Sequence, residues 1–207
     1  IDSFLNVFKN YKGNLPKLKF RNTILVYTNI ITENLFEDQW LYIQEENVRA
    51  GRITNFNNWV DSIKNNQKGT VLVNEYWTNQ EDEMWRLIDQ NLHDLCAEDL
   101  VSCGFIKDKS EIIDFKVIRV PKCYPIYTGN YKEELLKVQE FIDKIEGLQL
   151  IGRYGSFKYN NQDHSILMGL LSSENILNNT SNSLWDINTD YKYHESSTIS
   201  ETGLVSD

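Results

Sequence analysis

The residues best suited to chemistry lie in one run, Gly152-Arg153-Tyr154-Gly155-Ser156-Phe157-Lys158-Tyr159-Asn160-Asn161-Gln162-Asp163-His164-Ser165. The run reads as a loop, Arg153 to Gln162, between a short buried strand, Leu148 to Gly152, and an apolar helix that Asp163 opens. A helix start offers backbone amides without intrahelical partners, and its dipole adds about half a positive charge. Such a place suits a phosphate, or a carbonyl that gains negative charge when its ring is reduced. Arg153 adds a permanent cation. Tyr159 adds a face for stacking or a hydroxyl for hydrogen bonding, and Gly152 and Gly155 permit close backbone approach. The plainer readings are that Arg153 pairs with a surface carboxylate and that Tyr154, Phe157 and Tyr159 are core.

Elements that could position this run can be read along the chain. Phe4 to Tyr11 forms a short amphipathic piece. Strands are expected over Leu18–Ile31, Gln39–Gln44, Arg52–Phe56, Thr70–Trp77 and Asp114–Val120, where β-branched and aromatic residues concentrate. The first helix is expected from Thr78 to Cys96. Thr78 and Glu81 have capping-box spacing, and Met84, Leu87, Ile88, Leu92 and Leu95 mark an apolar face. Pro121 and Pro125 make the stretch up to Tyr127 extended and unsuited to a central strand. A second helix opens at Asn130 and stops at Gly147, and a third runs from Asp163 to about Asn175. The stretch from Ile176 to Asp207 is rich in Asn, Ser, Thr and Glu, and reads as a mobile tail pinned at most by Leu184 and Trp185. The fold class is therefore α+β, with a mostly antiparallel sheet. The organisation is a sheet with helices over 1–145, a strand-loop-helix over 146–175 and a tail over 176–207.

Composition narrows the function. A net charge of -9 argues against general nucleic-acid binding, which needs clustered Lys and Arg. No apolar run approaches the roughly 18 residues of a membrane span. Cys96, Cys103 and Cys123 follow no CxxC spacing and read as reduced thiols of a cytoplasmic protein. Three dispersed histidines give no metal-ligand pattern. His93 reads as structural, His164 as a solvated polar residue, and His194 lies in the tail. No catalytic acid, base or nucleophile emerges. Arg52 fits either an ion pair or a substrate contact. Tyr124 and Tyr127, beside Pro125, fit either a cleft wall or strand packing.

The order Gly152, Arg153, Tyr159, Asp163 resembles the C-terminal FAD motif of amine-oxidase-like flavoproteins. The likeness is to UDP-galactopyranose mutases and protoporphyrinogen-oxidase-like enzymes. Three further stretches resemble the same family: Trp40-Leu41-Tyr42-Ile43 followed by Gly51-Arg52-Ile53, then Val120 to Tyr127, then the helix from Asn130. Together they cover roughly 18–175. The resemblance implies an FAD-dependent oxidoreductase whose substrate domain is the antiparallel sheet, with the FAD domain resuming near residue 146. It implies that Gly152, Arg153, Tyr159 and the amides of Gln162 and Asp163 face the cofactor. It also implies that Arg52 and Tyr127 face a small-molecule substrate, a nucleotide sugar or glycan precursor.

Two departures qualify what the resemblance implies. Asn161 stands where the mutases carry Asp, which speaks against galactopyranose mutase activity. The 207 residues also contain no Gly-x-Gly-x-x-Gly to hold the ADP half of FAD. With Ile1 in place of Met and an abrupt apolar opening at Phe4, Leu5, Val7 and Phe8, the chain is expected to be the C-terminal part of a longer enzyme, inactive alone. Self-association is expected through the unpaired edge of the strand Leu148–Gly152. The rival readings are a stand-alone binding module without cofactor, and a subunit that joins a separate FAD-binding chain.

Overall fold

A computed structural model of the chain describes residues 16–33, 35–59, 61–66, 68–188, 197–200 and 203–206. The expected amphipathic piece at Phe4–Tyr11 and His194 lie outside them. By contacts, the chain divides into a unit of Phe20–Cys123 and a unit made from the chain on either side of it.

The first unit is built on the strands β1 (Lys19–Ile30), β2 (Trp40–Tyr42), β3 (Arg52–Asn55), β4 (Thr70–Thr78) and β5 (Ile112–Ile126), in the order β2-β3-β4-β1-β5. β1 pairs antiparallel with β4, as β4 does with β3 and β3 with β2. Alternation assigns the faces. Ile24, Val26 and Ile30 of β1, Ile53 of β3, and Leu72 and Tyr76 of β4 are buried in one core. The α+β class with a mostly antiparallel sheet is the one expected from the sequence. β5 carries both Pro121 and Pro125 and holds the outer place in the sheet order, where a missing N–H costs no ladder bond.

A short helix, α1 (Asp61–Asn66), lies between β3 and β4. The expected helix from Thr78 does not exist as one element. β4 runs on through Thr78, α2 covers Glu83–Arg86, and α3 begins at Asp89 and ends at Ser102. Thr78 spends its hydroxyl on Asp82, whose carboxylate also takes the Asn79 amide at 2.6 Å. The capping pair is therefore Thr78 with Asp82 in a turn, and Glu81 stays exposed. Leu87 and Ile88 are extended and break the helix, leaving Ile88 exposed. The buried face of α3 is Leu92, Cys96 and Leu100, spaced four apart, joined by His93, Ala97 and Asp99. His93 rests on Phe115 with ring centroids 4.1 Å apart, the structural role expected of it.

In the second unit α4 (Tyr131–Ile142) buries Val138 and Ile142 against Phe141, Ile145, Leu148 and Leu150. Asn130 makes no side-chain cap, and the helix stops at Ile142, five residues before Gly147. Leu148–Gly152 is not a strand. Its residues are irregular up to Ile151, and Gly152–Ser156 form a short helix, α5, inside the stretch expected to be loop. Gly152 sits at φ +73, a left-handed geometry that side chains resist. An exposed strand edge there, the expected route to self-association, is thus absent. The third helix, α6, spans Gln162–Asn178. Beyond it the chain is not a loose tail up to residue 188, because Leu184 and Ile187 are buried with Met168 of α6. Two short paired strands follow, β6 (Ser197–Ser200) and β7 (Gly203–Ser206). No helix among the described residues is long and apolar enough to cross a membrane.

Candidate functional site

The run from Gly152 folds around Phe157. Its φ of 51 places a bulky residue in the left-handed region, at a cost of about 1–2 kcal/mol. That residue ends α5 and turns the chain back, so the Lys158 amide reaches the Arg153 carbonyl at 3.2 Å. Phe157 itself is 1% exposed, with its ring edge-on to Tyr127 at 5.9 Å. The reversal sends consecutive side chains to different places. Lys158 is buried and Tyr159 is 47% exposed.

Arg153 is brought to Tyr159 by this reversal. Its guanidinium carbon lies 4.9 Å from the Tyr124 ring centroid and 5.1 Å from that of Tyr159. The two rings are 5.3 Å apart at 22°. Nε and Nη2 of Arg153 both donate to the Asn160 carbonyl, at 3.1 and 2.7 Å. A planar cation fixed by a two-pronged contact and aromatic faces is oriented as well as charged. The Tyr159 amide donates to the Tyr127 hydroxyl at 2.7 Å, and Tyr127 stacks on Tyr131 at 4.9 Å. Beside these rings lies a cavity of about 280 Å³, lined by Tyr127, Tyr131, Leu135, Phe157, Lys158 and Trp185 among others.

Gln162 and Asp163 form the first turn of α6 and are exposed. The helix starts one residue earlier than expected, with Asn161 as its cap. His164 is not merely solvated: its Nδ1 accepts the Asn161 amide at 3.2 Å, which requires that nitrogen to carry no proton. No signal in the sequence marks Asn160, yet it is 2% exposed and receives Arg153 on its carbonyl. The structure thus gathers Gly152, Arg153 and Tyr159 with Tyr127 in one unit, followed directly by Gln162 and Asp163.

Arg52 belongs to the sheet of the other unit. Its Nη2 lies 2.6 Å from Glu75 Oε1 and its Nε 2.7 Å from the same oxygen, across the β3–β4 pair. Nη1 donates to the Tyr42 hydroxyl at 3.4 Å. Gly51 leaves room for the Trp77 indole, since a Cβ there would come within 2.2 Å of it. The ion-pair reading of Arg52 describes its immediate partners.

Other candidates carry less. Burial pushes the Cys96 thiol far above its ordinary range, and Cys103 is raised by burial as well, so neither is a poised nucleophile. No group of His, Cys, Asp and Glu among the described residues is arranged to hold a metal ion.

No family model matches the sequence, and no curated protein matches it. Solved structures share the fold, and two of them illustrate it. One is a reduced UDP-galactopyranose mutase, with a TM-score of 0.67 and 21% identity over 80% of this chain and 36% of the mutase. The other is a protein from Exiguobacterium sp. 255-15 described provisionally as a protoporphyrinogen oxidase. It gives a TM-score of 0.56 at 18% identity, over 74% of this chain and 35% of its own. This chain therefore spans about a third of the length of either, and the likeness is one of fold. Both neighbours are of the kinds that the run from Gly152 resembles in sequence.

Proposed function

We propose that this chain is part of an FAD-dependent oxidoreductase of the amine-oxidase-like class, contributing a substrate-domain sheet and one wall of the flavin pocket. The observation that carries the reading is the Arg153 guanidinium set beside the stacked rings of Tyr124 and Tyr159, on a fold shared with a galactopyranose mutase over 80% of the chain. The residues fit a flat ring that gains negative charge when it accepts electrons. Arg153 offers an oriented cation, Tyr159 an exposed ring, and the first turn of α6 exposed amides at Gln162 and Asp163. In this reading Gly152, Arg153, Tyr159, Gln162 and Asp163 face the cofactor, and Arg52 and Tyr127 face a nucleotide sugar or glycan precursor. A bound flavin supplies the two-electron chemistry, and the protein supplies orientation and charge. With Asn161 as helix cap in place of the mutases' Asp, the reaction proposed is oxidoreduction and not ring contraction of galactose.

The ADP half of the cofactor needs a nucleotide-binding portion outside these 207 residues. The exposed side of α6 supports such a neighbour. Ile166, Leu170 and Leu177 share one helix face and are 63%, 60% and 80% exposed, while Met168 is buried on the opposite face.

The test is the reading frame upstream of the Ile1 codon and the flavin content of the protein that the whole gene encodes. The expected result is a Gly-x-Gly-x-x-Gly unit in frame and a protein that purifies yellow. Arg153→Ala is expected to weaken FAD binding about tenfold or more. A whole-gene product that takes up no flavin overturns the reading.

A further inference from the structure

The residues after α6 do something the Arg153 site depends on. Lys158 is 6% exposed, and its ammonium donates to the carbonyls of Trp185, Ile187 (2.8 Å) and Asn188 (3.4 Å). An ammonium has three protons to place, and one short loop takes them on three carbonyls. The loop is thereby wrapped around a buried cation. Leu184 and Ile187 press against Met168 from the same loop.

That wrapping delivers one side chain to the site. Asn188 Nδ2 donates to the Tyr159 carbonyl at 2.9 Å and to Asn160 Oδ1 at 3.0 Å. Asn160 in turn takes both Arg153 contacts on its carbonyl, and its own amide nitrogen lies 3.1 Å from Met168 Sδ. Tyr159 is one of the two stacked rings that the guanidinium lies against. The line of contact runs from Lys158 through the loop and Asn188 to the two residues that orient Arg153. Asn188 sits at φ +60, a geometry that Asn accepts more readily than most residues.

We propose that Leu184–Asn188 is a built-in strap of the Arg153 site, clamped by Lys158, and that Asn188 is a positioning residue for Tyr159 and Arg153. The proposal rests on the reading of Arg153 as a ligand-facing cation. Its structural half can be tested without any ligand. Neither Lys158 nor Asn188 touches the cofactor in this scheme; they act through the aromatic pair.

The experiment compares Asn188→Gly, Lys158→Met, Lys158→Arg and Arg153→Ala in the full protein. Glycine is chosen at 188 because it keeps the left-handed backbone and removes only the side chain. The ligand-free readout is near-ultraviolet circular dichroism, which reports the fixed asymmetry of stacked tyrosines. The second readout is FAD affinity by equilibrium dialysis. Asn188→Gly is expected to change the tyrosine signal in the same sense as Arg153→Ala and to weaken FAD about tenfold. Lys158→Met follows it, and Lys158→Arg, which keeps a cation, recovers part of both. A native tyrosine signal in Asn188→Gly beside an altered one in Arg153→Ala overturns the strap, whatever FAD does. FAD affinity unchanged by Arg153→Ala overturns the flavin reading instead, while the tyrosine signal still decides the strap.

Discussion

Asp99 in one unit and Arg153 in the other each gather groups from distant stretches of chain, and they do it in opposite ways. Asp99 is 2% exposed and accepts the Arg49 amide at 3.0 Å, the Ala50 amide at 2.9 Å and the Tyr76 hydroxyl at 2.9 Å. It closes the connection before β3 onto α3 and β4, and the charge is enclosed by donors. Burial, with Cys96 and Asp99 close by, raises the Tyr76 hydroxyl well above its usual range, so it stays a donor. Arg153 is only partly buried and meets a carbonyl and two aromatic faces, one of them on a half-exposed ring. A charge enclosed by donors fixes a fold. A charge set among aromatic faces near the surface can still meet a ligand. Position in the molecule, more than residue type, separates the charge that closes the fold from the one proposed to meet a ligand.

The comparison breaks most visibly at Asp99. Asp99→Ala leaves the Ala50 amide and the Tyr76 phenol buried without an acceptor, along with the part-buried Arg49 amide, and is expected to cost about 3–5 kcal/mol. Chemical denaturation is the measurement, and a loss near zero would mean that water reaches these donors. Arg153→Ala, by contrast, should leave stability within about 1 kcal/mol of the parent while lowering FAD affinity. Equal losses of stability at both positions would erase the distinction.

Arg52 sharpens the contrast from between the two. It pairs with a carboxylate, like a structural charge, yet its side chain is 27% exposed. Glu75→Gln keeps the shape and removes the charge, with an expected loss of about 1–2 kcal/mol, since Glu75 is buried while the Arg52 end of the pair is open to solvent. A loss of several kcal/mol would class the Arg52 pair with Asp99.

Acid titration reads the smallest effect. The Asn79 amide, and then the Thr78 hydroxyl, hold the Asp82 carboxyl below the usual carboxylate range; the Ser110 side chain does so at Asp108, and the Lys107 amide at Glu111. With folded-state values depressed, the unfolded chain takes up protons first as pH falls. The stabilisation is complete above the ordinary carboxylate range and is lost as pH drops through the folded values. Asp82→Asn should therefore flatten the fall of stability with acid, which thermal melts across that range would record.

Some of this was legible in the sequence for physical reasons. β1 and β4 are runs rich in β-branched and aromatic residues, and both form strands, β4 buried almost throughout and β1 alternating in burial along its later half. Pro121 and Pro125 announced an outer strand. The region after Thr78 misled because a Thr with Glu three residues on has the spacing of a helix cap, whereas Asp82 captured the Thr78 hydroxyl one residue further along. Leu148–Gly152 misled because a short apolar run ending in glycine fits a buried strand as well as the approach to a helix. The types and spacing of Arg153 and Tyr159 singled them out, and the structure brings them together. Asn160 and Asn188 were not marked in this way, because their importance lies in a chain reversal at Phe157 and in a loop closed over a lysine.

The kinked outer strand has a bearing on how this protein behaves at high concentration. Lys122 lies between the two prolines of β5 at φ +55, with its amide turned to the Asn22 side chain at 2.9 Å. Pro121 and Pro125 present no N–H at all. An incoming chain seeking to templately extend the sheet would meet two absent donors and one already spent, within five residues. This stretch of the β5 edge is thus ill suited to cross-β growth by its covalent structure, while β2 forms the sheet's other edge.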